Sequence, residues 1–342
     1  MYISTYVSKH IENIIIMKIK CRLILFISII LALIQCKKED LPPVVEVADD
    51  NFLHALIEQG VDANGDYVIS VFEAEQITFL DVSGRGISDL TGIEQFINLV
   101  TLDCSNNNIT NLDISNNLAL KDFRCNDNHI TSLNVTSNNL LVFLTCDNNY
   151  LTNLDVSSNI KLRSLYCMRN QLISLNVTNN FVLEVLACSG NSIKNLDVTN
   201  SLALKELWCG DNHLKNLDVS KNIKLKWLDC MNNQLTSIDI SNNINLSMLL
   251  CENNQLTSLN LTNNLGLAIL YCGSNQLSTL DISNNINLGN ERIAGLSEGL
   301  NLQYMPSLLK VCVWSLPFPP EGLEVDTTGS PNIYFTTDCN HE

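Results

Sequence analysis

Apolar and polar residues repeat along this chain with a period of 21 residues, beginning near residue 80. In the clearest repeat, Leu102, Asp103 and Cys104 alternate apolar, polar and apolar, and Asn107 follows three residues after the cysteine. Such alternation predicts a short strand with Leu102 and Cys104 on its inner side. The cysteine and the asparagine recur at the same spacing, as Cys104, Cys125, Cys146, Cys167, Cys188, Cys209, Cys230, Cys251 and Cys272 and as Asn107, Asn128, Asn149, Asn170, Asn191, Asn212, Asn233, Asn254 and Asn275.

One repeat of 21 residues is too short to bury its own apolar face, so the pattern predicts a solenoid whose turns bury a core between them. Successive strands would pair as a parallel sheet at a spacing of about 4.8 Å. The asparagine would turn inward and bond backbone groups at the bend, because an unpaired buried amide costs about 1–3 kcal/mol. The predicted core positions of one repeat are Leu102, Cys104, Ile109, Leu112, Ile114 and Leu120.

The spacing of Leu99, Leu102, Cys104, Asn107 and Ile109 matches the leucine-rich repeat pattern LxxLxLxxNxL, with cysteine in one apolar position. The chain resembles bacterial leucine-rich repeat proteins, particularly surface lipoproteins with this short cysteine-containing repeat, and more distantly internalins. The resemblance implies an α/β-type repeat solenoid dominated by strands. It would be a right-handed leucine-rich repeat array with a parallel concave sheet, an N-terminal helical cap and a C-terminal cap.

The repeat pattern also predicts where these parts begin and end. We expect a helical cap over residues 48–79 and leucine-rich repeats over residues 80–290. Arg85 replaces the asparagine in the first repeat, as is usual for an end repeat. Residues 291–342 are predicted to hold a degenerate repeat and the C-terminal cap, because the period fails after Leu288 and the LxxLxL spacing returns at Leu308, Val311 and Val313.

The N-terminus is typical of an export signal. A basic stretch precedes the apolar segment of residues 23–34, which is too short to span a membrane. The sequence Leu-Ile-Gln-Cys that ends at Cys36 resembles a lipobox, which implies a signal peptide over residues 1–36, lipidation of Cys36 and a tether over residues 37–47. The charged residues after Cys36 resemble a sorting signal, so we expect a surface-exposed outer-membrane lipoprotein. An uncleaved membrane anchor and a signal cut elsewhere are the alternatives.

The placement of the cysteines indicates different chemistry inside and outside the repeats. The ladder cysteines would point in parallel and are odd in number, so we predict buried free thiols and not disulfides. A ladder of metal ions is the alternative, but structural zinc sites need clustered ligands, which this spacing lacks. Cys312 and Cys339 lie in the predicted C-terminal cap, and in an exported protein we expect them to form a disulfide.

Residues 62–73 resemble an EF-hand calcium loop that follows a predicted helix ending at Gly60. Tyr67 stands where such loops have glycine, so any calcium binding should be weak. The alternative is that Ser70 and Glu73 form a capping box on a short second helix, with no metal. The predicted calcium ligands are Asp62, Asn64, Asp66, the Val68 carbonyl, Ser70 and Glu73.

Composition argues against two classes of function. The formal net charge of −16 would repel phosphate backbones, so we expect no nucleic-acid partner. The chain has no nucleophile motif, no HExxH motif and no glycine-rich phosphate loop. His129 and His213 occupy the same repeat position four turns apart, about 19 Å at the strand spacing, and cannot share a site. The sequence therefore predicts no enzyme activity.

The strand positions beside the inward leucine and cysteine are the most informative part of the surface. From the third cysteine repeat onward, several of these positions carry large apolar residues, and exposed aromatic residues mark interaction surfaces. We therefore predict a protein or glycan ligand on the concave face. The alternatives are that these residues pack on one another or on the cap, or that the solenoid is a structural spacer. The predicted ligand-binding residues are Phe143, Tyr166, Met168, Trp208, Trp227, Met231, Leu250 and Tyr271.

Overall fold

The computed structural model describes residues 43–290 and 299–339. The predicted signal peptide and Cys36 lie outside the described residues, as does most of the predicted tether. From Val44 onward the chain forms one compact unit. A continuous hydrophobic core runs through this unit from Val45 to Leu323, so we expect the unit to fold without the preceding residues.

Two short helices precede the repeats. Helix α1, Asp50–Glu58, begins at Asp49, whose carboxylate accepts hydrogen bonds from the backbone N–H groups of Asn51 and Phe52. The same carboxylate accepts a bond from the backbone N–H of Ser88 at 2.8 Å, which joins the helix to the first turn of the solenoid. Helix α2, Val71–Gln76, begins with a capping box. Ile93–Gln95 form a single 3₁₀ turn.

The described repeats contain short strands in two parallel sheets. The long sheet has twelve strands in the order β1 to β10, β12 and β14, and a second sheet pairs β11, β13 and β15. Each turn places its inward leucine opposite that of the next, as Leu165 lies opposite Leu186. The strands are β1 Phe79–Asp81, β2 Thr101–Asp103, β3 Asp122–Arg124, β4 Phe143–Thr145, β5 Ser164–Tyr166, β6 Val185–Ala187, β7 Glu206–Trp208, β8 Trp227–Asp229, β9 Met248–Leu250, β10 Ile269–Tyr271, β11 Thr279–Asp281, β12 Leu300–Asn301, β13 Lys310–Cys312, β14 Val325–Asp326 and β15 Tyr334–Thr336.

This arrangement confirms the predicted leucine-rich repeat solenoid, which has about twelve turns and little helix. The ladder cysteines are free and buried, as predicted. Burial raises the pKa of the Cys188 thiol to about 12, with a smaller contribution from Asp229, so this thiol stays protonated at neutral pH. Cysteine therefore acts here as a small apolar residue that fills the core.

The LxxLxL spacing that returns at Leu308, Val311 and Val313 belongs to the second sheet. Val311 lies opposite Leu280 in the second sheet, and not in the long sheet. The long sheet continues instead through Leu300, which lies opposite Leu270. The spacing alone does not identify the sheet, because the second half of a repeat has the same LxxLxL spacing as the first half, as Leu277, Leu280 and Ile282 illustrate.

The predicted asparagine ladder holds adjacent turns together at one corner of the solenoid. Asn191 donates hydrogen bonds from Nδ2 to the carbonyls of Cys167 and Cys188, at 3.0 and 2.9 Å. Its Oδ1 accepts a bond from the backbone N–H of Leu172 at 3.0 Å. One side chain thus satisfies three buried backbone groups, two of which belong to the preceding turn, and the inward placement of this asparagine is confirmed.

A second asparagine ladder lies at another corner. Asn222 donates from Nδ2 to the carbonyls of Val198 and Ser201 in the preceding turn, both at 2.9 Å. Unlike the first ladder, its Oδ1 is buried without a hydrogen-bond partner among the described residues. Ser201 occupies the same position one turn earlier and makes a single long bond, from Oγ to the Asn180 carbonyl at 3.5 Å. The second ladder therefore tolerates serine, whereas every position of the first ladder from Asn107 to Asn275 is asparagine.

The two ladders should respond differently to the same substitution. We expect Asn191→Ser to lower the free energy of unfolding by about 1–3 kcal/mol, because three buried backbone groups lose their partner. Asn222→Ser should cost less than about 1 kcal/mol, because it also removes a buried oxygen that has no donor. Urea unfolding of both variants and the parent measures the two losses of unfolding free energy, provided that the three m values are equal. Equal losses for the two variants would contradict the distinct roles assigned to the ladders.

Candidate functional site

The candidate site is the outward side of the long sheet. In each strand the residues before and after the inward leucine point away from the core, and so does the residue that follows the ladder cysteine. We call the surface that these positions form in strands β2 to β10 the sheet face. All eight predicted ligand-binding residues lie on it, and the parallel pairing brings them into neighbouring rows.

The first part of the sheet face carries a short aromatic row. The ring centroids of Phe143 and Tyr166 lie 5.6 Å apart with the planes tilted by 40°. The guanidinium carbon of Arg124 lies 5.1 Å from the Phe143 centroid, within the range of a cation–π contact. Phe143, Tyr166 and Met168 are all half-buried. The same guanidinium is paired with the carboxylate of Asp122 at 3.0 Å, so a partner would meet two aromatic rings beside an ion pair here.

The second part is built around two tryptophans. The ring centroids of Trp208 and Trp227 lie 6.1 Å apart in an edge-to-face arrangement, with an interplanar angle of 76°. Both rings are half-buried, as is Met231 nearby. They pack against a buried cluster formed by Met248, Leu250, Ile269 and Tyr271, which is separate from the main core. The cluster gives the two indole rings a rigid support.

This burial corrects the predicted exposure of two site residues. Leu250 is 4% exposed and Tyr271 is 8% exposed, so neither presents a surface to a partner. Large apolar side chains on adjacent strands shield one another from solvent. A prediction made separately for each position of the sequence does not include this effect. For these two residues the structure matches the alternative that the apolar positions pack together. The partly exposed residues of the predicted site are Phe143, Tyr166, Met168, Trp208, Trp227 and Met231.

Two carboxylates on the sheet face escaped the sequence analysis. Burial raises the pKa of Asp147 to about 6, although a hydrogen bond from the Met168 N–H opposes the rise. Burial likewise raises the pKa of Asp229 to about 6, against a bond from the Met231 N–H at 3.1 Å. Both groups therefore gain their charge as the pH rises through about 6. The pairing of equivalent repeat positions could have revealed the burial of Asp229, because it places this residue between Trp208 and Leu250 on the neighbouring strands.

The predicted calcium loop forms a network of hydrogen bonds within itself. Asp62 accepts bonds from the backbone N–H groups of Gly65 and Tyr67, at 2.8 and 2.9 Å. Glu73 accepts from Ser70 N–H with one oxygen, at 2.9 Å, and from Ala63 N–H with the other, at 3.0 Å. These bonds lower the pKa of Glu73, with the Ser70 N–H as the largest cause.

The loop geometry bears on both alternatives of the sequence analysis. Ser70 and Glu73 form the capping box that the metal-free alternative expects. Tyr67 adopts the left-handed conformation, with φ of 65°, that glycine would adopt at this position of an EF-hand loop. Asn64 and Asp66 also belong to the network, since Asn64 Oδ1 accepts a bond from the Asp66 N–H at 2.8 Å. The carboxylates of Asp62, Asp66 and Glu73 do not converge on one point in the described structure.

Among the described residues, Asp281, Cys312 and Cys339 bring three potential metal-ligand atoms close together. The two cysteines are joined by a disulfide, with their Cα atoms 5.5 Å apart, and so offer no thiolate. No helix within residues 43–290 or 299–339 combines the length and the apolar character that crossing a membrane would need.

Comparison with known proteins identifies similar structures but no matching sequence family. No family model matches this sequence, and no curated protein matches it. The functional domain of InlJ from Listeria monocytogenes, described as including a cysteine ladder, is 35% identical with a TM-score of 0.74. The similarity covers 83% of this chain and 60% of that one, so the chain spans about three fifths of the InlJ domain.

Two less similar structures support the fold alone. An internalin from Listeria monocytogenes, InlF, is 23% identical over 81% of this chain and 86% of its own, with a TM-score of 0.66. The leucine-rich repeat ectodomain of the plant receptor kinase GASSHO1/SCHENGEN3 from Arabidopsis thaliana is 22% identical over 72% of this chain and 32% of its own, with a TM-score of 0.61. That ectodomain was solved in complex with CASPARIAN STRIP INTEGRITY FACTOR 2. The chain is thus a leucine-rich repeat solenoid whose structural neighbours are internalin-like proteins, including one with a cysteine ladder.

Proposed function

We propose that this chain is a non-enzymatic binding protein that holds a protein or glycan ligand on its sheet face. The observation that carries the proposal is the set of half-buried aromatic rings there, Phe143, Tyr166, Trp208 and Trp227. Tryptophan and tyrosine are enriched among the residues that contribute most to binding energy, and aromatic rings also stack on sugars. Each of these rings already contacts another aromatic ring, so little side-chain freedom is lost when a ligand docks.

The buried cluster behind the tryptophans strengthens this interpretation. Met248 and Ile269 are fully buried on the side of the sheet that faces away from the main core. A spacer without a ligand, which is the alternative function, does not need a second apolar cluster that supports exposed indole rings. The complex of the plant ectodomain illustrates that the fold can hold a ligand, but fold similarity does not transfer a ligand to this chain.

The location of the protein is part of the proposal. The export signal and the lipobox-like sequence support an outer-membrane lipoprotein that is anchored through Cys36 and exposed at the cell surface. We expect the full-length protein to incorporate radiolabelled palmitate in a Gram-negative host and Cys36→Ala to abolish the label. A variant that keeps the label would place the acyl chain elsewhere, and an unlabelled parent would remove the anchor from the proposal.

The binding role is tested by capture experiments with residues 44–342. The parent protein and a Trp208→Ala, Trp227→Ala variant would be used side by side against outer-membrane proteins, host extracellular proteins and a glycan array. We expect a ligand that the parent retains and the variant loses by at least about tenfold, as is usual when central aromatic residues are removed.

The matched control is Tyr150→Ala, which removes an aromatic residue that is 49% exposed but lies outside the sheet face. All proteins must first show equal thermal unfolding. Equal loss of the ligand by the control would mean a general surface effect and would contradict a site on the sheet face. Capture of no ligand by the parent from any of the three sources would favour the structural spacer.

Calcium binding by residues 62–73 stays a prediction. The donor types support it, because calcium prefers carboxylate, amide and carbonyl oxygens. The bonds that Glu73 makes to backbone N–H groups compete with a metal, so affinity should be no better than millimolar. Titration calorimetry with calcium chloride should give heat for the parent and none for an Asp62→Asn, Asp66→Asn variant. No heat from the parent at millimolar calcium would leave the capping box as the sole role of Glu73.

A further inference from the structure

A row of exposed apolar side chains runs along the solenoid at the corner formed by the second asparagine ladder. The position directly after the ladder residue, which is asparagine in every repeat but that of Ser201, is apolar in eight of the nine repeats, and Asn139 is the exception. Each of the eight side chains is between 55% and 61% exposed. We call this set the apolar row, and its members are Leu118, Ile160, Phe181, Leu202, Ile223, Ile244, Leu265 and Ile286.

The ladder holds these side chains next to one another. Asn243 donates from Nδ2 to the Asn222 carbonyl in the preceding turn at 2.9 Å, which keeps Ile223 and Ile244 in register. Asn245 adds a bond from its Nδ2 to the carbonyl of Ile223 at 3.1 Å. At the strand spacing of about 4.8 Å, the row extends for about 38 Å. It is unbroken from Ile160 to the end of the last repeat.

The fold does not require apolar residues at this position. Other exposed columns of the repeat are mostly polar, as Thr110, Thr131, Thr152, Lys194 and Lys215 illustrate for the column that follows the inward residue Ile109. The row contains leucine, isoleucine and phenylalanine, so its apolar character recurs although the residue changes. Single exposed apolar residues are ordinary, but a continuous set of this size marks an interaction surface.

Basic residues flank the row from Lys121 to Lys226, and the same flanking positions around Ile244, Leu265 and Ile286 are uncharged. The flanking positions, which lie two before, one after and three after each row residue, carry seven exposed basic side chains and one carboxylate. That carboxylate, Glu184, is paired with both Arg163 and Lys205. The excess of positive charge lies on a chain whose net charge is −16. The seven basic residues are Lys121, Lys161, Arg163, Lys205, Lys221, Lys224 and Lys226.

We propose that the apolar row is a docking edge for a lipid bilayer that carries anionic headgroups. Apolar side chains that insert at the headgroup boundary, together with lysines that face anionic phosphates, are the combination by which peripheral proteins bind such surfaces. A second copy of the chain fits less well, because the one carboxylate beside its row, Glu184, is already paired and offers these lysines no free anionic partner. The row and the sheet face use different positions of the repeat, so this inference is independent of the ligand proposed for the sheet face.

The experiment is flotation of residues 44–342, which lack Cys36, with vesicles. Vesicles of phosphatidylcholine containing about 30% phosphatidylglycerol should carry the protein upward, and vesicles of pure phosphatidylcholine should carry at least about tenfold less. An Ile223→Ser, Ile244→Ser, Leu265→Ser variant should lose at least about tenfold in bound fraction. A Lys221→Gln, Lys224→Gln, Lys226→Gln variant should bind both kinds of vesicle equally weakly. Raising the salt concentration should weaken binding by the parent.

Matched controls separate this edge from general surface effects. Ile173→Ser removes an apolar side chain that is 67% exposed but lies outside the row, and Lys194→Gln, Lys215→Gln removes charge away from the row. Both should bind vesicles as the parent does. Absence of binding by the parent, or equal binding by the row variants, would overturn the proposal. Sedimentation velocity is the last check. If the parent forms a dimer, the row variants abolish that dimer and the parent does not bind vesicles, the row would be assigned to self-association.

Discussion

Hydrogen bonds between one turn and the next are the interactions on which the rest of this structure depends. A turn of 21 residues has too little sequence to satisfy its own corners, so asparagine side chains bond the carbonyls of the preceding turn. The stacking that results closes the core, where the ladder cysteines fit because the thiol is small and stays neutral when buried. A turn without a neighbour would therefore expose both its core residues and the backbone groups at its corners.

The ends of such an array need special residues because they lack one neighbour. At the N-terminus, Arg85 replaces the ladder asparagine and helix α1 is joined to the first turn through Asp49 and Ser88. At the C-terminus, the two sheets end in β14 and β15, and the disulfide between Cys312 and Cys339 closes the last turn. The regular middle of the array is then left to vary only at its outward positions.

The outward positions vary in different ways from column to column, and this variation is where function is expected. On the sheet face, aromatic rings lie beside two carboxylates, the partly buried Asp147 and the buried Asp229, whose pKa is raised by burial. At the corner of the second ladder, exposed apolar residues recur, with basic residues beside them as far as Lys226. The same scaffold can thus present two chemically distinct surfaces, because neither set of side chains takes part in closing the core.

The sequence by itself determined the solenoid, the parallel pairing and the first asparagine ladder, since a fixed period forces equivalent residues such as Leu102 and Phe123 into equivalent places. It also placed Leu120 in the core, which the structure confirms, but it did not identify Leu118 as an exposed apolar residue. Leu118 and Leu120 would share a face in a strand, but they lie in a turn, and Leu118 is 57% exposed while Leu120 is fully buried.

Tertiary structure also decided the phase of the last turns and the burial of Tyr271. Both halves of a repeat have the spacing LxxLxL, so local pattern cannot assign Val311 to one sheet or the other. Shielding of Tyr271 depends on side chains that are far away in the sequence, such as Met248. These outcomes depend on what each residue meets across the stack, and periodicity alone does not contain that information.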